Sequence, residues 1–196
     1  MISKSQDMID ARRILILAVL LLIAAATGVS LKPSPASMST TSRLLTLRCP
    51  AFAHGAAIPA RYTGDGANES PELEWAGAPE GTRSFALICD DPDAPRGTWV
   101  HWVLWNLPAG TASLPVAVEK KQALPAGTQT GRNDSGDACY DGPAPPPGKA
   151  HRYFFKLYAL DSTLTLAPGS SKSALEKAMA GHVLAQGMWM GTYQRQ

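Results

Sequence analysis

Two turn-and-strand stretches decide the fold: Asp90-Asp91-Pro92-Asp93-Ala94-Pro95 leading into Trp99-Val100-His101-Trp102, and Gly142-Pro143-Ala144-Pro145-Pro146-Pro147-Gly148 leading into His151-Arg152-Tyr153. Proline fixes φ, and glycine adopts backbone conformations that other residues avoid. Each stretch therefore predicts a stiff turn that delivers a histidine to the start of a strand. Two rigid turns, each beside a histidine, indicate a small preformed polar site.

Strand periodicity predicts which side chains share a face, because residues two apart on a strand point the same way. On the first strand this rule places His101, Val103 and Trp105 together. On the second strand it separates two sets, His151, Tyr153, Phe155 and Leu157 on one face and Arg152, Phe154, Lys156 and Tyr158 on the other.

Strand-like runs separated by proline and glycine predict a mainly β chain. The runs are Leu44–Cys49, Ser84–Cys89, Trp99–Leu107 and His151–Leu160, with shorter ones at Glu72–Trp75 and Gly187–Tyr193. One helix is predicted, because Ser173-Ala174-Leu175-Glu176 has the capping-box pattern and Leu175, Met179 and Val183 follow at helical spacing. Gly187 is expected to end this helix.

Length and composition indicate one loop-rich globular domain. The chain has 196 residues, 45% of them hydrophobic, with 16 prolines and 17 glycines. This length is enough for one substantial core and short for two. The net charge is only +2, and no stripe of lysine and arginine is present, which argues against a nucleic-acid partner.

The amino-terminal segment differs in composition from the rest. Arg12 and Arg13 precede an uninterrupted apolar run, Ile14–Ala26, followed by a stretch rich in proline, serine and threonine. This order predicts a signal peptide or an amino-terminal membrane anchor over residues 1–31, a flexible linker over 32–42 and a folded domain over 43–196. We expect the domain to be exported to the periplasm or secreted, with anchoring to the cytoplasmic membrane as the alternative.

The chain has three cysteines, so at most one disulfide can form within it. Cys89 lies in an apolar run and is predicted to be a buried small hydrophobe. Pairing of Cys49 with Cys139 is left open by the sequence.

The two stretches resemble the phosphatidylethanolamine-binding protein family, in particular its bacterial, Raf kinase inhibitor-like branch. The resemblance implies a large antiparallel sheet packed on a smaller one, with a carboxy-terminal helix next to a ligand pocket. It covers roughly Leu44 to Tyr193, with further matches at Ile58-Pro59-Ala60-Arg61-Tyr62, Asn68-Glu69-Ser70-Pro71, Gly131-Arg132-Asn133-Asp134, Leu157-Tyr158-Ala159-Leu160-Asp161 and Met190-Gly191-Thr192-Tyr193.

The same resemblance implies a small anion pocket lined by Asp91, His101, His151 and Tyr153, with walls shaped by Trp99, Ala144 and Pro145. Imidazole donates to phosphate, and a neighbouring carboxylate fixes its tautomer, so such a site could bind phosphate without lysine or arginine.

Two side chains near this pocket are expected to have structural roles instead. Asp93 is expected to build the turn, while Asp91 serves the pocket. Arg152 faces away from His151, so we expect it to pair with a buried carboxylate of the Asp90–Asp93 turn.

These features predict a binding protein rather than an enzyme, with no catalytic residue, metal or cofactor. The expected ligand is a phosphate or phosphoryl group, such as a phospholipid headgroup like phosphoethanolamine. One alternative is an inhibitor or scaffold that acts on a partner protein through its surface. Another is a metal-dependent hydrolase, because two aspartates and two histidines could ligate zinc or manganese.

Overall fold

The computed structural model of the protein describes residues 43–196, which form nine strands and one helix. The predicted signal or anchor segment and the linker lie outside the described residues. In chain order the elements are β1 Arg43–Leu44, β2 Thr46–Arg48, a 3-10 turn Ala60–Tyr62, β3 Leu73–Ala76, β4 Ser84–Asp91, β5 Trp99–Pro108, β6 Ser113–Leu114, β7 Gln129–Thr130, β8 His151–Leu160, α1 Lys172–Met179 and β9 Val183–Tyr193.

The strands form two sheets. The large sheet has the order β1-β9-β8-β4-β5-β7, and the small sheet has the order β2-β3-β6. All pairs are antiparallel except β1 with β9, which run parallel. The predicted mainly β architecture, a large sheet packed on a smaller one, is confirmed, with one parallel edge that the sequence did not signal.

The predicted strand Leu44–Cys49 is in fact two strands in different sheets. The chain leaves the large sheet after β1, and Leu45 N donates to Gln186 O at 2.8 Å before β2 enters the small sheet. At this crossing a Cβ on Gly187 would lie 2.6 Å from Leu45 O. Gly187 is therefore required by a close backbone approach inside β9, and its predicted role as the end of a helix is wrong.

Helix α1 begins and ends earlier than the sequence predicted. Its N-cap is Ser171, whose hydroxyl accepts from Ala174 N, so the capping box assigned to Ser173 is wrong. After Met179 the backbone reverses at Gly181, where φ is +84°, and Val183 begins β9. Val183 therefore belongs to β9 and not, as its spacing from Met179 predicted, to the helix. Along residues 43–196 no helix is long and apolar enough to cross a membrane.

Two hydrophobic clusters lie on opposite faces of the large sheet. The inner cluster joins it to the small sheet and includes Trp102, Leu104, Phe155 and Leu157, all fully buried. The outer cluster contains Val103 and Trp105 of the large sheet together with the apolar side of α1. Each fully buried leucine contributes about 2 kcal/mol relative to an exposed one, so both faces of the central strands stabilise the fold.

All three cysteines are free thiols. Cys49 and Cys89 are buried, which confirms the prediction for Cys89. Burial raises the pKa of Cys49 to about 11 and that of Cys89 well above its usual value, so both thiols stay protonated and behave as core residues.

Candidate functional site

The site is a cavity of about 430 Å³ at the end of the large sheet where β4 ends and β5 and β8 begin. The β4–β5 turn and the loop between β7 and β8 form its walls. The structure brings together there all seven residues that the sequence singled out, Asp91, Trp99, His101, Ala144, Pro145, His151 and Tyr153. Their role in binding stays a prediction.

Asp91 and His151 form a buried pair at the floor of the cavity. His151 Nδ1 lies 2.7 Å from Asp91 Oδ2, and both side chains are almost fully buried. The other carboxylate oxygen, Oδ1, accepts from Asp93 N at 2.8 Å, which is an Asx turn. Asp91 therefore orients the histidine and also builds the turn, so assigning the turn to Asp93 is wrong.

Asp93 instead fastens the turn to β8 through Arg152. Its carboxylate accepts from Arg152 N at 3.0 Å, from Nε at 2.8 Å and from Nη2 at 2.8 Å. The Arg152 guanidinium lowers the pKa of Asp93 to about 2. Pairing of Arg152 with a carboxylate of this turn is confirmed, although Asp93 is half-buried rather than buried.

His101 reaches the cavity because β5 contains a β-bulge. Cys89 pairs with Trp102 and Asp90 pairs with Val100, which leaves His101 as an extra residue. Its ring lies edge-on to Tyr153, with centroids 5.2 Å apart, while Val103 belongs to the outer cluster. The prediction that His101, Val103 and Trp105 share a face is therefore wrong, because the bulge shifts the alternation by one. The alternation predicted for β8 is confirmed, since Tyr153, Phe155 and Leu157 all lie in the inner cluster.

The hydrogen bonds of His101 identify its tautomer. Nδ1 lies 2.7 Å from Asp141 O, and a carbonyl oxygen only accepts, so Nδ1 carries the hydrogen. Burial lowers the pKa of His101, and the hydrogen bond to Asp141 opposes only part of that change. The ring is therefore neutral near pH 7, and Nε2 carries a lone pair. Nε2 is buried without a hydrogen-bond partner among residues 43–196.

Tyr153 supplies a second unpaired polar atom beside the first. Its hydroxyl is buried near the Asp91 carboxylate and forms no hydrogen bond of normal geometry within the described part of the chain. Burial, together with the charge of Asp91, raises the pKa of the phenol far above its usual value. The hydroxyl is thus a neutral O–H group that can donate. Most buried polar atoms in proteins are paired, so two unpaired ones lining the same cavity indicate a site for a ligand.

The loop after β7 forms one wall of the cavity, and two hydrogen bonds with Asn68 hold it in place. Asn68 Nδ2 donates to Asp141 Oδ1 at 3.1 Å, and Asn68 Oδ1 accepts from Gly142 N at 2.7 Å. A Cβ on Gly142 would lie 2.4 Å from Tyr62 O, so the loop and the Tyr62 segment are in direct backbone contact. These contacts make the wall a preformed surface.

Sequence reasoning missed three polar residues that line the cavity, Arg96, Ser135 and Asp141. Arg96 is exposed and directly follows Pro95, so its position in the rigid turn was an available signal. Arg96 adds a positive charge near the cavity, which the histidines alone were expected to supply. Asp141 had no local signal, since its contact with His101 joins residues forty positions apart.

Helix α1 does not contribute to this cavity. Leu175 and Met179 pack in the outer cluster, on the face of the large sheet away from the small sheet, and no residue of the helix lines the cavity. Within residues 43–196 no group of three or more His, Cys, Asp or Glu side chains is placed to hold a metal ion.

The fold and the cavity define a class of protein: a two-sheet β domain with a histidine-lined pocket at one end of its large sheet. The sequence profile of the phosphatidylethanolamine-binding protein family matches residues 48–194. The chain therefore belongs to this family.

Individual relatives agree with this assignment. A UPF0098 protein of Methanothermobacter thermautotrophicus is 50% identical over 151 residues, which cover 77% of this chain and 99% of the relative. The crystal structure of the homologue CT736 of Chlamydia trachomatis has a TM-score of 0.72 at 34% identity, covering 79% of this chain and 100% of that one. YbcL of E. coli has a TM-score of 0.73 at 32% identity, covering 78% and 99%.

Proposed function

We propose that the cavity binds the phosphate or phosphoryl group of a small ligand, such as a phospholipid headgroup, without catalysing a reaction. The observation that carries this proposal is the pair of buried, unpaired polar atoms, His101 Nε2 and Tyr153 OH, in residues that line one cavity. The family's name, which describes phosphatidylethanolamine binding, supports a phosphoryl headgroup as the ligand.

Each polar side chain has a distinct role in this proposal. The Tyr153 hydroxyl donates to an oxyanion oxygen. His151 is held by Asp91 through Nδ1 and forms part of the floor of the cavity. Arg96 at the rim supplies the positive charge that attracts an anion, and its fork of donors suits phosphate geometry.

The test is a phosphorus NMR titration of the purified protein with phosphorylethanolamine, with the histidine ring protons followed in the same samples. We expect saturable shifts at His101 and His151, and a loss of affinity of at least about tenfold in His101→Ala and His151→Ala. His182→Ala is the matched control, because His182 is half-exposed and pairs with Asp161 outside the cavity. Wild-type affinity in both pocket variants would show that the ligand binds elsewhere.

We also propose that the domain is exported, by signal peptide or by membrane anchor. The support is the arginine pair followed by the apolar run Ile14–Ala26. Cell fractionation with a carboxy-terminal tag tests this, and amino-terminal sequencing of the recovered protein separates a cleaved peptide from an anchor. Recovery of the tagged protein in the cytosol contradicts the proposal.

A further inference from the structure

We infer that binding of a phosphoryl oxyanion in this cavity takes up one proton from solvent, and that this proton lies between His101 Nε2 and the bound oxyanion. The inference deepens the proposed function and rests on it. It concerns how the same pocket responds to pH and which protonation state of the ligand it selects.

His101 has a fixed tautomer in the free protein. Nδ1–H donates to Asp141 O at 2.7 Å, and Asp141 N donates back to His101 O at 3.1 Å. Moving the hydrogen to Nε2 would place the lone pair of Nδ1 against the carbonyl oxygen. These two hydrogen bonds therefore hold the neutral ring in the tautomer in which Nε2 is a hydrogen-bond acceptor.

The phosphoryl ligand offers only hydrogen-bond acceptors at its terminal oxygens. A phosphate monoester is largely a dianion above its second pKa of about 6, so its terminal oxygens only accept. An acceptor oxygen next to the lone pair of Nε2 is repulsive until a proton joins them. The bound pair is then either an imidazolium with a phosphate dianion or a neutral imidazole with a phosphate monoanion. In both cases the complex holds one proton more than the free ring and the free dianion did, and this proton comes from solvent.

The charge around the His101 ring changes when the ligand binds. Burial holds the free ring in its neutral form near pH 7, so the proton is absent before the ligand arrives. The negative charge of the ligand then adds to that of the neighbouring carboxylates and favours the proton on the ring. The groups that face His101 are Asp91 from β4, Asp134 and Asp141 from the loop after β7, His151 and Tyr153 from β8, and Arg96 from the turn.

The experiment is isothermal calorimetry of phosphorylethanolamine binding to the full chain at pH 8, in two buffers that differ in heat of ionisation. We expect the two apparent enthalpies to differ by the heat of about one proton taken up per ligand bound. We also expect the affinity to fall about tenfold per pH unit between pH 7.5 and 8.5, because one proton is consumed.

Two variants locate the proton. In His101→Gln the amide donates without titrating, so the buffer dependence and the pH slope should disappear. In His151→Gln both should persist, whatever the affinity. His182→Gln is the control and should keep the wild-type values, because His182 lies outside the cavity.

The outcomes separate this inference from the function on which it rests. Saturable binding with equal enthalpies in both buffers and a flat pH profile overturns proton uptake and leaves the pocket standing. A buffer dependence that persists in His101→Gln, or disappears in His151→Gln, also overturns the assignment to His101. The absence of saturable heat in the wild type overturns the proposed function and this inference together.

Discussion

Asp90 and Asp91 are adjacent carboxylates on opposite faces of β4, and their surroundings differ. Asp90 is buried in the face that carries α1, where Lys156 lies 2.8 Å away and Lys172 also forms an ion pair with it. Asp91 is buried in the cavity, where it is hydrogen-bonded to His151 and where two unpaired polar atoms, His101 Nε2 and Tyr153 OH, belong to lining residues.

The comparison shows the same residue type in an ion-pair cluster on one face and beside a cavity on the other. Lys156 and Lys172 both form ion pairs with Asp90, and the pair with Lys172 joins the helix to the sheet. Around Asp91 the polar groups outnumber their partners, which costs stability in the free protein. Under the proposed function, a bound ligand supplies the contacts that His101 Nε2 and Tyr153 OH lack.

The largest effect is expected from Asp90→Ala. Removing the carboxylate leaves two partly buried lysines without their shared partner, and we expect the free energy of unfolding to fall by about 3 kcal/mol. Urea denaturation measures this change, with Asp161→Ala as the exposed control that should shift stability by less than about 0.5 kcal/mol. A similar small shift in Asp90→Ala would show that the lysines find other partners.

Gly142→Ala tests whether the shape of the cavity depends on the contact between its wall and Tyr62. The added Cβ would meet Tyr62 O at 2.4 Å, so we expect a loss of about 2 kcal/mol and weaker binding of phosphorylethanolamine. Gly110→Ala is the matched control, because nothing lies within 4 Å of its Cβ position. Equal stability of the two variants would show that the loop moves away from Tyr62 at little cost in free energy.

Tyr153→Phe separates binding from stability. Removing an unpaired buried hydroxyl should leave the free energy of unfolding unchanged or slightly higher, while the Kd for phosphorylethanolamine rises about fivefold to tenfold. Tyr140→Phe is the contrasting variant, because the Tyr140 hydroxyl donates to Tyr62 O at 2.7 Å and its loss should cost about 1 kcal/mol. If Tyr153→Phe were the less stable of the two, its hydroxyl would have a structural partner.

The smallest effect is expected from Asp93→Asn. The pKa of Asp93 is lowered from 3.8 to about 2, so its contribution to stability is complete above pH 3.8 and is lost as the pH falls toward 2. The wild type should therefore be the more stable protein at pH 7, and the difference should vanish near pH 2. Thermal melts of both proteins at pH 7, 4 and 2.5 measure this, and a constant difference would contradict the pairing with Arg152.

Local patterns predicted those parts of the molecule that depend on local geometry. Regular alternation along β8 assigned Tyr153 and Phe155 to the correct face, and the two proline-rich turns marked both sides of the cavity. The bulge at His101 was not predicted, because it depends on pairing with β4 rather than on the residues of β5.

The helix and the missed site residues illustrate the same limit. Ser171 and Ser173 are the same residue type and equally suited to an N-cap, and the structure uses Ser171. Gly187 is explained only by the distant backbone of Leu45, and Asp141 acts through a carbonyl group, which every residue has. Such contacts leave no mark in residue type.

The pairing of β8 with β9 determines when the cavity can be assembled during synthesis. His151 pairs with Tyr193 of β9, a strand that follows α1 in the chain, and β9 also pairs with β1 at Arg43. The strand that presents His151 and Tyr153 thus keeps one unpaired edge until β9 has been made. Contacts of long sequence separation form slowly, so we expect the cavity to be completed late in folding.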